Sequence, residues 1–140
     1  MTNEERTAWL NERRKGIGGS DVAAIIGLSP WTTPLDIYEQ KLGRALPSEE
    51  TEAMYWGTAL EPAIRQAYSD KTGYLVKKPE TAFVHPKYSF MRANLDGIVL
   101  NDNRIAEFKT ASTSKGWGEP GTDEIPDYYL TQVQHYMVEI

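Results

Sequence analysis

Along the first third of the chain, apolar positions fall into short runs, each framed by helix start and stop residues. Thr2-Asn3-Glu4-Glu5 has capping-box form and predicts a helix through about Lys15, ended by Gly16. A glycine-rich link, Gly16-Ile17-Gly18-Gly19, leads to a second helix start at Ser20-Asp21, with Val22 to Ile26 apolar and Gly27 as its stop. Thr33 as N-cap, Pro34 at the first helical position and Gly43 after the last predict a third helix from Pro34 to about Leu42. A longer helical region runs from about Glu50 to Lys71 and stops at Gly73, with Gly57 and Pro62 marking a kink or a restart at Thr58. Strands are predicted at Tyr74 to Lys77, Thr81 to Val84, Ile98 to Leu100 and Ile105 to Phe108. A loop rich in Ser, Thr, Gly and Pro covers Ser112 to Pro126. The last helix carries the stripe Leu130, Val133, Met137 and Ile140, whose spacing predicts a core-facing side.

The last two strands hold the main chemical candidate. Asn101-Asp102-Asn103 supplies turn chemistry between them, so they form a hairpin. With a two-residue loop of Asn101 and Asp102, antiparallel pairing puts Asp96 directly opposite Glu107, side chains on one face; a three-residue loop needs a bulge to restore that pairing. Alternation puts Lys109 on the face of Glu107 and points Phe108 the other way, into the core. Like charges opposed across strands destabilise a sheet, and a divalent cation removes the penalty. Mg²⁺ is held by one or two carboxylates, waters and phosphate oxygens, and two carboxylates with a lysine suit a metal-dependent phosphodiesterase. On these three residues alone, the alternative is a pair of solvated strand-end carboxylates with Lys109 as ion-pair partner.

Composition narrows the classes. The 140 residues suffice for one domain with a real core. A polar, acidic N-terminus and the lack of an apolar run long enough to span a membrane predict no signal peptide, no membrane partner and a cytoplasmic setting. The absence of cysteine excludes disulfides, cysteine zinc sites and cysteine-ligated clusters, and two histidines are too few for a His-rich metal site. A formal net charge of −5 argues against coating nucleic acid by bulk electrostatics, although Arg13-Arg14-Lys15 and Lys77-Lys78 are local basic clusters, the latter read as surface charge.

Three further candidates each carry two readings. Glu61 either closes a capping box begun at Thr58 or projects toward Asp96 and Glu107 as a third carboxylate. The glycine-rich entry to Ser20-Asp21 is either a tight turn capped by Ser20 or Asp21, or a phosphate cradle with Ser20 donating its hydroxyl and Arg13 nearby. Gln132 and Tyr136 share a helix face distinct from the predicted core stripe; this is either exposed polar surface or a glutamine serving an active-site water or DNA, and His135 reads as surface.

Taken in order, Ile17-Gly18-Gly19-Ser20-Asp21, Leu28-Ser29-Pro30-Trp31-Thr32-Thr33-Pro34, Trp56-Gly57-Thr58-Ala59-Leu60-Glu61-Pro62, Asn94-Leu95-Asp96-Gly97, Glu107-Phe108-Lys109-Thr110-Ala111 and the stretch from Tyr129 to Met137 resemble the YqaJ-like viral recombinase family, the branch of the PD-(D/E)XK nuclease superfamily that includes phage lambda exonuclease. The resemblance covers about Arg13 to Val138. It implies an α/β fold with a restriction-endonuclease-like core, a central mixed β-sheet flanked by helices, and a single nuclease domain over residues 1–140 whose helical N-terminal third leads into it. It implies Asp96, Glu107 and the Phe108 carbonyl as metal ligands, Lys109 as the motif lysine, Glu61 as a catalytic and metal-binding carboxylate, Gln132 as the active-site glutamine and Tyr136 as its support. Ser20 and Arg13 match positions that hold a DNA 5′ phosphate. Leu95 stands where the motif name has proline. The chain stops inside its last helix while relatives continue, so a C-terminal truncation is expected.

The implied function is a Mg²⁺-dependent deoxyribonuclease, a 5′-to-3′ exonuclease on linear duplex ends in phage-type recombination, using two ions that Mn²⁺ can replace. A single-strand annealing protein and a homo-oligomeric ring are the implied partners. The rival readings are an endonuclease or CRISPR-type nuclease of the same superfamily, and a catalytically silent DNA-end-binding module.

Overall fold

A computed structural model of the chain describes residues 2–45 and 49–139. Its elements run α1 (Asn3–Arg14), α2 (Gly19–Ile25), α3 (Pro34–Lys41), α4 (Glu52–Thr72), β1 (Val76–Lys77), β2 (Phe83–Val84), β3 (Arg92–Ala93), β4 (Gly97–Val99), β5 (Arg104–Ala106) and α5 (Asp127–Glu139). This is a mixed α/β fold. The chain passes back and forth between two compact units. Residues 2–45, 83–93 and 125–139 form one, and residues 49–82 and 94–124 the other.

In the first unit the helix starts follow the capping chemistry. Thr2 accepts from the Glu5 N–H at 3.1 Å while Glu5 accepts from the Thr2 N–H at 2.7 Å, the reciprocal box that opens α1. Thr33 and Asp36 do the same for α3. Helix α2 starts one residue earlier than expected: Gly18 is the N-cap, and the carboxylate that closes the first turn is Asp21, accepting from the Gly18 N–H at 2.9 Å.

The predicted stripe on α5 is not the buried side of the helix. Met137 is 50% exposed, Ile140 lies outside the described residues, and the buried side chains are Gln132, His135 and Tyr136. The reason lies in α2. A Cβ on Gly19 would stand 2.5 Å from Cε1 of Tyr136 and 2.8 Å from Cγ of Gln132, so the missing side chain lets this polar face approach. His135, expected on the surface, has Nε2 3.1 Å from the Arg92 carbonyl oxygen, an acceptor only, so that nitrogen carries the proton. Strands β2 and β3 pair antiparallel, Phe83 with Ala93 and Val84 with Arg92. The predicted strand from Thr81 thus shortens to Phe83–Val84, and β3 is an addition. A parallel bridge joins Ile17 to Met91.

In the second unit α4 is continuous through Pro62, without the restart expected at Thr58. Proline removes one internal hydrogen bond, to the carbonyl of Thr58, whereas the start and stop chemistry sits further out. Thr51 accepts from the Met54 N–H at 3.2 Å, and Gly73 ends the helix at φ +75°. The sheet order is β1-β4-β5, all antiparallel. Gly97 pairs with Ala106, Ile98 with Ile105 and Val99 with Arg104. The turn spans residues 100–103 rather than two residues, with Asn103 left-handed at φ +59° and its N–H on the Val99 carbonyl at 2.9 Å. The register is nevertheless the one expected from the shorter loop. Asn101 ties this turn to the chain before β1 by accepting from the Leu75 N–H at 3.0 Å.

Candidate active site

The register of β4 and β5, extended by one residue at each end, sets Asp96 opposite Glu107. Both strands stop there, which frees the two carboxylates from the ladder while the sheet fixes their spacing. Phe108 points away as expected, its ring 5.9 Å from that of Tyr68 on α4. Gly97 is required beside Asp96, because a Cβ there would fall 2.4 Å from Cγ1 of Val76.

Asp96 is pinned twice. Its Oδ2 accepts from the Phe108 N–H at 2.9 Å, and its carbonyl accepts from Nε of Arg65 at 2.9 Å. Burial raises its pKa, the Phe108 N–H opposes the rise, and the nearby Glu61 charge adds to it. Glu107 is raised further, to about 7, chiefly by burial; Lys109 works against the rise and Asp96 adds to it. Lys109 Nζ stands 2.8 Å from Glu107 Oε1.

Glu61 does not close a cap. It lies mid-helix and pairs with Arg65, one turn on, and with Lys78, which the sequence presents as plain surface charge. Arg65 therefore links Glu61 to Asp96, and the spacing Glu61-x-x-x-Arg65 is the signal that marks it in the sequence. Among the described residues, no group of three or more His, Cys, Asp or Glu side chains is arranged to hold a metal ion. The donor set that fits a cation is the pair Asp96 and Glu107. Each is pushed toward protonation by burial and by a neighbouring carboxylate, a cost that a hard divalent cation with oxygen ligands removes.

The remaining candidates lie in the first unit. Arg13 Nη2 donates to Ser20 Oγ at 2.9 Å, so the expected partners do meet. Beneath them Asp21, 2% exposed, takes Lys41 Nζ at 2.7 Å on Oδ2 and Arg13 at a looser 3.6 Å on Oδ1. Lys41 also donates to the Arg13 carbonyl at 2.7 Å. Lys41 is invisible to a local reading, being 28 residues from Arg13. Gln132 Nε2 donates to the Tyr136 hydroxyl at 2.9 Å, both side chains buried, which excludes the exposed-surface reading.

Comparison with known proteins gives a consistent picture. The model of the YqaJ-like viral recombinase domain matches residues 8–138. A Bacillus subtilis (strain 168) protein named uncharacterised protein YqaJ is 40% identical over 135 residues, covering 94% of this chain and 41% of its own length. A protein of Acanthamoeba polyphaga mimivirus is 25% identical over 139 residues, covering 90% of this chain and 25% of its own. The chain thus spans about two fifths or less of these relatives. Among solved structures, an alkaline exonuclease from Laribacter hongkongensis, LHK-Exo, superposes with a TM-score of 0.71 at 26% identity, over 95% of this chain and 68% of that one. A structure of LHK-Exo in complex with dAMP superposes with a TM-score of 0.70 at 24% identity, over the same shares.

Proposed function

From the premise that the chain belongs to the YqaJ-like viral recombinase domain family, we propose that it is a Mg²⁺-dependent deoxyribonuclease that resects linear duplex DNA from its 5′ ends in phage-type recombination. It acts in the cytoplasm of a bacterial or phage-infected cell. The observation that carries this reading is the pair of half-buried carboxylates, Asp96 and Glu107, set opposite each other with Lys109 2.8 Å from Glu107. The exonuclease likeness of the superposed structure, and the deoxynucleotide in its complex, support DNA as the polymer.

Asp96 and Glu107, with the Phe108 carbonyl, are the residues to hold Mg²⁺ or Mn²⁺, and Glu61 is the adjacent carboxylate for a second ion. When bound, the ions supply a more acidic water and stabilise charge on the scissile phosphate. Lys109 places a cation at the same site and neutralises charge that develops on the phosphate oxygens. Arg65 holds the Asp96 backbone and Glu61 in fixed relation. Tyr136 fixes the orientation of the Gln132 amide. Because Ser20 accepts from Arg13, its own hydroxyl proton is left to donate to a 5′ phosphate, and the Arg13 guanidinium adds charge. A single-strand annealing protein is the proposed partner and a homo-oligomeric ring the proposed assembly.

The test is digestion of linear duplex DNA labelled at either end, with or without a 5′ phosphate, in Mg²⁺, beside a covalently closed circle and Glu107→Ala. Loss of the linear DNA alone, from its 5′-phosphorylated end and absent in the variant, is the expected result. Cutting of the circle would assign an endonuclease, and binding of ends without cutting would assign a silent end-binding module.

A further inference from the structure

Beyond Lys109 the chain leaves the sheet and runs through residues 110–124 without regular structure, yet this segment is tied to itself. The Trp117 N–H donates to the Ser114 carbonyl at 3.0 Å, the Lys115 N–H to Thr113 Oγ1 at 3.2 Å and the Gly118 N–H to the Glu124 carbonyl at 2.7 Å. Glu124 packs so closely on Gly118 that a Cβ there would fall 2.4 Å from its own Cβ. The loop is therefore a shaped wall, and beside it lies an open cavity of about 440 Å³ lined by Lys109, Ala111, Ser112, Thr113, Ser114 and Trp117. That volume is in the range of small-molecule sites, roughly 300–1,000 Å³.

The lining has three chemical zones. Lys109 brings a cation from the carboxylate site, three hydroxyl side chains supply hydrogen bonds of either sense, and an indole supplies an apolar plane. A nucleotide has the same three zones: an anionic phosphate, a polar sugar and a flat base. We propose that this cavity seats the deoxynucleotide adjoining the scissile phosphate, its base stacked on Trp117, which makes Trp117 a positioning residue. This rests on the nuclease reading given above. Stacking is indifferent to base identity, because every base has a π-face and none of the six lining residues has a side-chain amide or carboxylate to read a base edge. The seat therefore suits an enzyme that must remove all four nucleotides in turn.

The test is calorimetric titration of the whole chain, and of Trp117→Ala and Trp117→Phe, with dAMP and with 2-deoxyribose 5-phosphate, which lacks the base. Wild type should bind dAMP about 5-fold to about 150-fold more tightly than the sugar phosphate, the span expected of one base stacked on one aromatic ring. Trp117→Ala should bring dAMP down to the sugar phosphate, and Trp117→Phe should restore most of the difference. Equal binding of the two ligands by wild type, no binding of dAMP, or unchanged dAMP binding by Trp117→Ala would each overturn the proposal. The comparison of ligands on wild type needs no variant to fold. Binding is read without cleavage, so a chain that binds dAMP through Trp117 but cuts no DNA would sink the nuclease reading alone, and one that cuts DNA without the Trp117 dependence would sink this proposal alone.

Discussion

Glu107 is half-buried beside a second carboxylate, and in the absence of a cation its proton is held until about pH 7 against an ordinary value of 4.5. The folded state then binds more protons than the unfolded one over that interval, so stability of the metal-free chain should fall as pH rises from about 4.5 to about 7. The upper limit of the loss is on the order of 3 kcal/mol. Urea unfolding across that range should show the decline in wild type and a flatter profile in Glu107→Gln, with DNA cleavage down by at least about 100-fold in the variant. Arg65→Ala should cost about 1–3 kcal/mol, because it leaves the Asp96 carbonyl without its donor and Glu61 with Lys78 alone, and should slow cleavage while leaving Asp96 and Glu107 in place. Parallel denaturation and single-turnover kinetics would measure both. Asp96, Glu107 and Lys109 were legible because strand alternation and hairpin register are local rules. Lys78 was not, since its role depends on Glu61, 17 residues away, and no local rule brings the two together.

At the scale of elements, the caps at Thr2, Thr33 and Gly73 were readable because each is settled within a few residues of chain. The orientation of α5 was not. A stripe count ranks Leu130, Val133 and Met137 as the buried side, whereas Gly19 of α2 admits the polar face that holds Gln132 and Tyr136. Gly19→Ala should therefore lose about 1–3 kcal/mol by overpacking, although alanine is the better helix former. A urea titration that showed stabilisation instead would mean that α5 is not seated on α2 in this way. Pro62 likewise misled the local reading: one lost hydrogen bond in a helix of 21 residues did not outweigh the signals at its ends.

At the scale of the molecule, the acidic balance of the chain coexists with a site that calls for a cation. Mg²⁺ should raise the melting temperature of wild type at pH 8, above the raised value of Glu107, and have less effect at pH 5. At a hundredfold excess over its dissociation constant the gain should approach about 2.7 kcal/mol, and it should vanish in Asp96→Ala; equal gains at both pH values would argue against this site. Among the described residues no helix is long and apolar enough to cross a membrane. The layout of the two units was closed to sequence reading, since boundary signals mark where a chain leaves a domain for good, and this chain comes back. That layout also governs how the gene can be divided. A single cut in loop 110–124 severs the second unit internally and strips α5 from the first, so neither half carries a whole compact unit. Split-gene pairs should yield insoluble halves when expressed alone and recover a folded product only when co-expressed.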